Sequence, residues 1–215
     1  MTAPSSAFHH PARELNASTQ EAIQALARAF GNHDWSVQEG FLAPPRISAL
    51  RHEAEALRAQ GAFHAAGIGP GAERHTDIRG DEILWFEGDM APQASSLVCR
   101  ELEALRFAVN AASYLGLGEF EGHYAAYAPG TAYARHMDGF RDDNRRALSL
   151  VLYLNEAWSA EDGGALQLYP EGEPSVTVLP RGGTLVCFLS ERVQHEVLPA
   201  RRMRLSLTGW FRRRA

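Results

Sequence analysis

The chain has 215 residues, 45% of them hydrophobic and 22% charged, with a formal net charge of -5. That balance belongs to one folded domain with a real core, not to a disordered or fibrous chain. The clearest basic clusters, "RRMR" and "RRR", lie in the last fifteen residues, too narrow a face to track phosphates, so no nucleic-acid partner is expected.

No run approaches the roughly 18 apolar residues of a membrane span, and "MTAPSSAFHHPARELN" lacks the charged-then-apolar pattern of a secretion signal. The expectation is a cytoplasmic monomer without a membrane partner, residues 1–18 forming a flexible tail. Residues 19–215 are read as a single domain, with helical support over 19–118 and a main core over 119–212. Cys99 and Cys187 belong to no CxxC pair and read as separate buried thiols.

In chain order, "TQEAIQALARAFG" places Ile23, Leu26, Ala27 and Phe30 at helical spacing, with Thr19 as the expected cap and Gly31 as the stop. A strand is expected near "WSVQEGFL". Pro44 and Pro45 then open a second helix with the stripe Ile47, Leu50, Ala54 and Leu57, ending at Gly61. A third helix is predicted from about Pro92 to Leu115, with Leu97, Leu102, Leu105, Val109 and Ala112 on its apolar side. Between the last two, the glycine- and charge-rich "GIGPGAERHTDIRGDEILWFEG" reads as a long loop feeding a strand.

From Gly122 the texture changes to short apolar or alternating runs: "HYAAY", "AYARH", "ALSLVLYL", "ALQLY", "SVTVLP", "TLVCFL", "HEVLP" and "RLSLTGWF". So many short strands predict a two-sheet β barrel or jelly roll.

His136 and Asp138 in "YARHMD" lie two residues apart, which on a strand turns both to one face. The only histidine further on is His195, in "ERVQHEVLP". Two imidazoles and a carboxylate can hold one face of an octahedral Fe(II) and leave three positions open. An HxD with a later histidine also arises by chance. Arg204 adds weight. It follows His195 on the next expected strand, and the far carboxylate of a chelating dicarboxylate such as 2-oxoglutarate needs a buried cation. All 21 basic residues are arginine, so that cation must be one. Arg201 and Arg202 read better as solvated charge.

With "IRGDEILWF", "YAPGTAYARHMD", "LVLYLNEAW", "GGALQLYPEG" and "HEVLPARRMRLSLTGWF" in this order, the chain from about Trp35 to Phe211 resembles the 2-oxoglutarate and Fe(II) dependent prolyl hydroxylases of the hypoxia-inducible-factor type, most closely their bacterial homologues. The resemblance implies an α+β fold dominated by β, with a double-stranded β-helix (jelly-roll) core and about three supporting helices. It implies His136, Asp138 and His195 as catalytic iron ligands, and Arg204 with the Tyr153 hydroxyl as the anchor for 2-oxoglutarate. Tyr127, Leu166, Val197 and Thr208 match pocket-lining positions, and Arg79, Arg146 and Trp210 match the substrate side. The loop from Gly67 to Arg79 matches a segment that folds over substrate. The turn before "AYARH" is a residue shorter than in the animal enzymes.

The implied reaction uses Fe(II), 2-oxoglutarate and O2, with ascorbate as a reductant, to hydroxylate C4 of a prolyl residue in a protein. In bacteria the branch is associated with elongation factor Tu. Alternatives on the same scaffold are hydroxylation of a free amino acid or of another protein side chain. Nucleic-acid dealkylating relatives carry a second arginine where this chain has Trp210. A barrel with a vestigial metal site that binds peptide without turnover is a further reading. His9, His10, His33, His52, His64, His75 and His123 have no partner at metal spacing and read as structural or exposed.

Overall fold

The computed structural model describes residues 15–30, 32–67, 78–86, 93–139 and 145–213. Residues 1–14 of the expected tail, the stop at Gly31 and residues 68–77 of the expected substrate loop lie outside these.

Helix α1 (Ala17–Ala29) starts earlier than expected, because Asn16 and not Thr19 is its cap: Asn16 Oδ1 accepts the Thr19 N–H at 2.8 Å. Thr19 is instead buried inside the helix. Helix α2 (Pro44–Ala59) opens on two prolines, where the backbone N–H groups have no helical acceptor, and buries Ile47, Leu50 and Ala54. In helix α3 (Gln93–Ser113), Leu102, Leu105 and Val109 are buried, but Ala112, in the last turn, is exposed.

The strands are β1 (Trp35–Gln38), β2 (His64–Ala65), β3 (Asp81–Trp85), β4 (Leu117–Tyr127), β5 (Tyr133–His136), β6 (Arg146–Tyr153), β7 (Leu166–Tyr169), β8 (Val176–Val178), β9 (Leu185–Leu189), β10 (Gln194–Val197) and β11 (Arg204–Arg213). They form a seven-stranded sheet of order β1-β9-β6-β11-β4-β3-β2 and a four-stranded sheet of order β5-β10-β7-β8. Every ladder is antiparallel. This is the double-stranded β-helix, with three α-helices among the described residues.

The run "ALSLVLYL" is apolar throughout because both its faces are covered. Leu148, Leu150 and Leu152 of β6 join the core that includes α1, α2 and α3. The alternate residues Val151 and Tyr153 join a second core, shared with Leu166, Leu168 and Val197 of the smaller sheet. On β11 the same alternation sends Leu205 and Leu207 toward the helices and leaves Arg204, Ser206 and Thr208 for the space between the sheets. Each fully buried leucine contributes on the order of 1.5–3 kcal/mol by its removal from water.

Helix α2 is further tied to the rest of the fold by polar contacts, among them Arg58 Nε donating to Glu82 of β3 at 2.8 Å. Arg46 grips Glu101 of α3 with two guanidinium nitrogens, and the buried Tyr124 hydroxyl donates to Glu53 at 2.6 Å. Cys99 and Cys187 are free thiols, as expected; Cys187 is buried and Cys99 half-buried.

Where β4 and β11 cross, Gly122 and Gly209 pair in register and the Phe120 ring lies over both. A Cβ on Gly209 would stand 2.5 Å from both the Glu121 carbonyl oxygen and the Phe120 ring. Gly209→Ala is therefore expected to cost about 1–3 kcal/mol. A urea melt of the variant should show this as a lower midpoint with unchanged slope.

Candidate active site

His136 is the last residue of β5, and His195 of β10 is its register partner. Their rings stand side by side with centroids 4.2 Å apart. Asp138 is not on the strand: β5 ends at His136 and the chain bends, held by a Gly139 N–H to Ser190 O bond of 3.1 Å. The bend, not strand alternation, turns the carboxylate back. Its oxygens lie 3.7 Å from Nε2 of His136 and 3.7 Å from Nε2 of His195. One ligand atom from each of the three residues falls within 4.8 Å of the others.

The imidazoles are oriented by their other nitrogens. Nδ1 of His136 lies 2.7 Å from Ala134 O and Nδ1 of His195 lies 3.3 Å from Val193 O. Each therefore carries its proton on Nδ1 and presents Nε2 as a free lone pair. Tyr133 stacks on His136 at 3.6 Å, and Phe188 packs against His195 at 4.5 Å. Ser149 Oγ donates to Asp138 Oδ2 at 2.7 Å and meets Ser190 Oγ at 2.8 Å.

Burial alone would raise the Asp138 pKa, but the two imidazoles and the Ser149 hydroxyl outweigh it and hold the carboxyl well below its usual range. Burial lowers His195 to about 4, with Asp138 pulling the other way. At neutral pH this is a carboxylate beside a neutral imidazole, the protonation that metal ligation requires.

Arg204, on the inward face of β11, is 1% exposed. Its Nε donates to Gly164 O at 2.9 Å, and its guanidinium carbon lies 5.0 Å from the Tyr127 ring centre and 5.1 Å from that of Tyr153. No carboxylate among the described residues pairs with it. The Tyr153 hydroxyl is buried without a hydrogen-bond partner, and burial pushes its pKa up to about 12 against the pull of Arg204. A buried cation and a buried hydroxyl, both short of an acceptor, call for an anion between them. The residues thus fit both Fe(II), through an N,N,O donor set, and a dicarboxylate, through the unpaired guanidinium.

The two glycines at 163 and 164 serve as turn and as clearance at once. Gly164 has φ +70°, and a Cβ there would come 3.3 Å from Arg204 Cδ and 2.9 Å from Ala200 Cβ.

His136, Asp138, His195, Ser149, Tyr127 and Arg204 line one cavity of about 420 Å³, together with Leu166, Val197, Thr208, Arg79, Arg146 and Trp210; Tyr153 is not in its lining and stands behind it, beside Arg204. Arg146 Nε donates to Glu121 at 2.6 Å, and its guanidinium stacks 3.6 Å over the Trp210 ring. Arg79 is largely buried. It makes a two-point pair with the buried Asp81, at 2.7 and 3.0 Å, and lies over the Tyr133 ring. Two residues of the wall were not placed there by the sequence: Ser149 had no assigned part, and His123 read as structural or exposed. Ser149 is the one small polar residue in an apolar run, at even spacing from Tyr153, and that parity was the available signal. His123 likewise stands at even spacing from Tyr127 on β4, and it lines the cavity. His64 also reaches the cavity, whereas His33 and His52 are exposed elsewhere.

Residues 122–212 match the 2OG-Fe(II) oxygenase superfamily. The chain is 30% identical over 198 residues to Egl nine homolog 1 of Homo sapiens, covering 88% of this chain and 46% of that protein, so it spans about half the length of this relative. It superimposes on the crystal structure of a Pseudomonas putida prolyl-4-hydroxylase with a TM-score of 0.82 at 43% identity, covering 90% of this chain and 100% of the other. On a Trichoplax adhaerens prolyl hydroxylase in complex with a hypoxia inducible factor oxygen degradation domain peptide, the TM-score is 0.84 at 25% identity, covering 93% and 94%.

Two outcomes are expected. Ser149→Ala, which frees Asp138 from its anchor, should weaken Fe(II) or Zn(II) binding about 10–100-fold in anaerobic titrations while the melt of the metal-free protein changes little. The second concerns pH. His123, lowered by burial to about 3, and His195, at about 4, resist protonation in the fold but accept it when unfolded near 6.5. The unfolded state binds more protons below that pH, so stability of the metal-free protein should be full above pH 6.5. It should fall between 6.5 and about 4, by up to roughly 1.4 kcal/mol per pH unit for each histidine. Urea melts across that range check it, and His195→Gln should reduce the slope.

Proposed function

The chain belongs to the 2OG-Fe(II) oxygenase superfamily, and on that premise we propose that it is a prolyl hydroxylase acting at C4 of a prolyl residue in a protein. The observation that carries this reading is the meeting of an N,N,O donor triad and a buried, unpaired guanidinium in one cavity. His136, Asp138 and His195 would hold Fe(II) and leave three positions for co-substrate and oxygen. Arg204 and the Tyr153 hydroxyl would take the distal carboxylate of 2-oxoglutarate, a planar cation and a neutral donor sharing one anion. Tyr127, Leu166, Val197 and Thr208 would wall that limb.

With these bound, the ferrous centre and its co-substrates supply oxidation of an unactivated C–H bond, one oxygen atom entering the product and the other the succinate formed with carbon dioxide. The protein's own part is positioning. Ser149 fixes the Asp138 rotamer, and Tyr133 fixes the plane of His136. Arg146, held by Glu121, stacks on Trp210 and stiffens the wall assigned to the prolyl ring. Arg79, just before β3, is joined to β5 by an isolated bridge to Tyr133, whose ring stacks on His136, so a substrate contact at Arg79 would reach a metal-holding residue through one side chain. Leu166, Val197 and Trp210 keep the space dry.

The same reading takes residues 19–215 as one oxygenase domain, working in the cytoplasm, with elongation factor Tu as the candidate substrate. What supports the last step is the likeness of "YAPGTAYARHMD" and its neighbours to the bacterial branch. Among the described residues no helix is long and apolar enough to cross a membrane.

Anaerobically reconstituted protein given Fe(II), 2-oxoglutarate and oxygen should form succinate, and a treated lysate should gain the mass of one oxygen atom on prolyl peptides. Absence of both removes the reading. His136→Ala should lose turnover and keep its melting midpoint within a few degrees. Arg204→Ala should raise the 2-oxoglutarate Kd about 10²–10³-fold, since a buried charge loses its partner at roughly 3–5 kcal/mol. An unchanged Kd would place the anchor elsewhere.

A further inference from the structure

His123 is absent from the roles assigned above, yet it is 1% exposed and lines the cavity. Its cross-strand partners are Trp85 on β3 and Thr208 on β11. The imidazole lies 4.7 Å from the Trp85 ring and 5.5 Å from that of Trp210, and the two indoles are 6.1 Å apart. In this aromatic cluster two polar atoms, His123 Nδ1 and Trp210 Nε1, are buried with no hydrogen-bond partner among the described residues. Leaving even one buried polar atom unpaired is costly, and two on one wall are an unanswered demand for a ligand.

The co-substrates do not answer it. The distal carboxylate of a bound 2-oxoglutarate is taken by Arg204 and Tyr153, and its keto-acid end by the metal. The wall stands beside that metal: Trp210 pairs in register with Ser149, whose hydroxyl holds Asp138. The remaining component is the substrate. A prolyl residue in a chain has no N–H of its own and an apolar ring, so the polar groups nearest the reacting carbon are the preceding carbonyl, its own carbonyl and the N–H of the next residue, and of these only the last can donate. Trp210 Nε1 can only donate. Burial keeps His123 neutral, which leaves its ring one donor and one acceptor nitrogen.

We infer that His123 is a specificity-determining residue which, with Trp210, forms a notch for the main-chain amide following the target residue. The indole N–H donates to the prolyl carbonyl, and the imidazole accepts the next N–H. This deepens the prolyl reading and rests on it. It also separates a chain-borne proline from free proline, which lacks that amide.

The test uses Zn(II)- and 2-oxoglutarate-loaded protein, which binds without turning over, with ¹⁵N-labelled indoles and imidazoles. N-acetyl-L-proline methylamide should shift the Trp210 indole N–H and the His123 nitrogens saturably, and free L-proline should not. His123→Leu should raise the apparent Kd of the methylamide about tenfold, as for one lost hydrogen bond, and leave that of 2-oxoglutarate within about twofold. His123→Gln, which keeps a hydrogen-bonding group, should recover most of the affinity and guards against a folding defect in the leucine variant. No shift at Trp210, an equal response to free proline, or equal affinity in His123→Leu would overturn the notch. An equal response to N-acetyl-L-alanine methylamide would retain the notch and count against the prolyl reading instead.

Discussion

The pairing of His136 with His195 across β5 and β10 is the constraint on which the site depends. In an antiparallel ladder a slip of one residue turns every side chain of a strand to the opposite face. The register that buries Leu168 and Val197 between the sheets is therefore the register that puts two imidazoles side by side. Core packing and ligand placement are one requirement here. The third donor escapes the ladder: Asp138 reaches the pair because the chain bends after β5, and Ser149 from the opposite sheet holds it there.

Around that pair the cavity is graded in chemistry. One end offers a cation and a neutral hydroxyl without an anion, Arg204 and Tyr153. The other is a cluster of Trp85, His123 and Trp210, braced outside by Arg146 and Glu121. The major sheet supplies both ends from the same face of β4, β6 and β11, so the spacing between them is set by strand geometry. A rigid floor of this kind suits a reaction in which a substrate carbon must be held against a metal.

Polar atoms left unpaired in the interior mark where ligands are missing. Tyr153 Oη, Trp210 Nε1 and His123 Nδ1 are all buried without a hydrogen-bond partner among the described residues; Trp210 and His123 line the cavity, and Tyr153 lies beside Arg204, which does. Elsewhere among the described residues Asp81 pairs with Arg79, Asn155 with Pro180 O and the Leu205 N–H, and Ser190 with Ser149, while Arg202 Nε, buried without a hydrogen bond, stands 3.2 Å from Asp162 Oδ1. The contrast separates groups that serve the fold from groups that await a partner.

Much of this was legible beforehand. Alternating apolar runs marked eight strands of the core, prolines marked the start of α2, and the HxD, the later histidine and Arg204 marked the site, because period and residue chemistry are local properties of a chain. The cap at Asn16, the bend carrying Asp138 and the places of Ser149 and His123 on the cavity wall were not. Each depends on what a distant segment brings within a few ångströms. By itself the sequence determined which residues could ligate, donate or line a pocket. Only the tertiary structure decided which of them meet, because register and sheet facing are set by the joint burial of residues far apart along the chain.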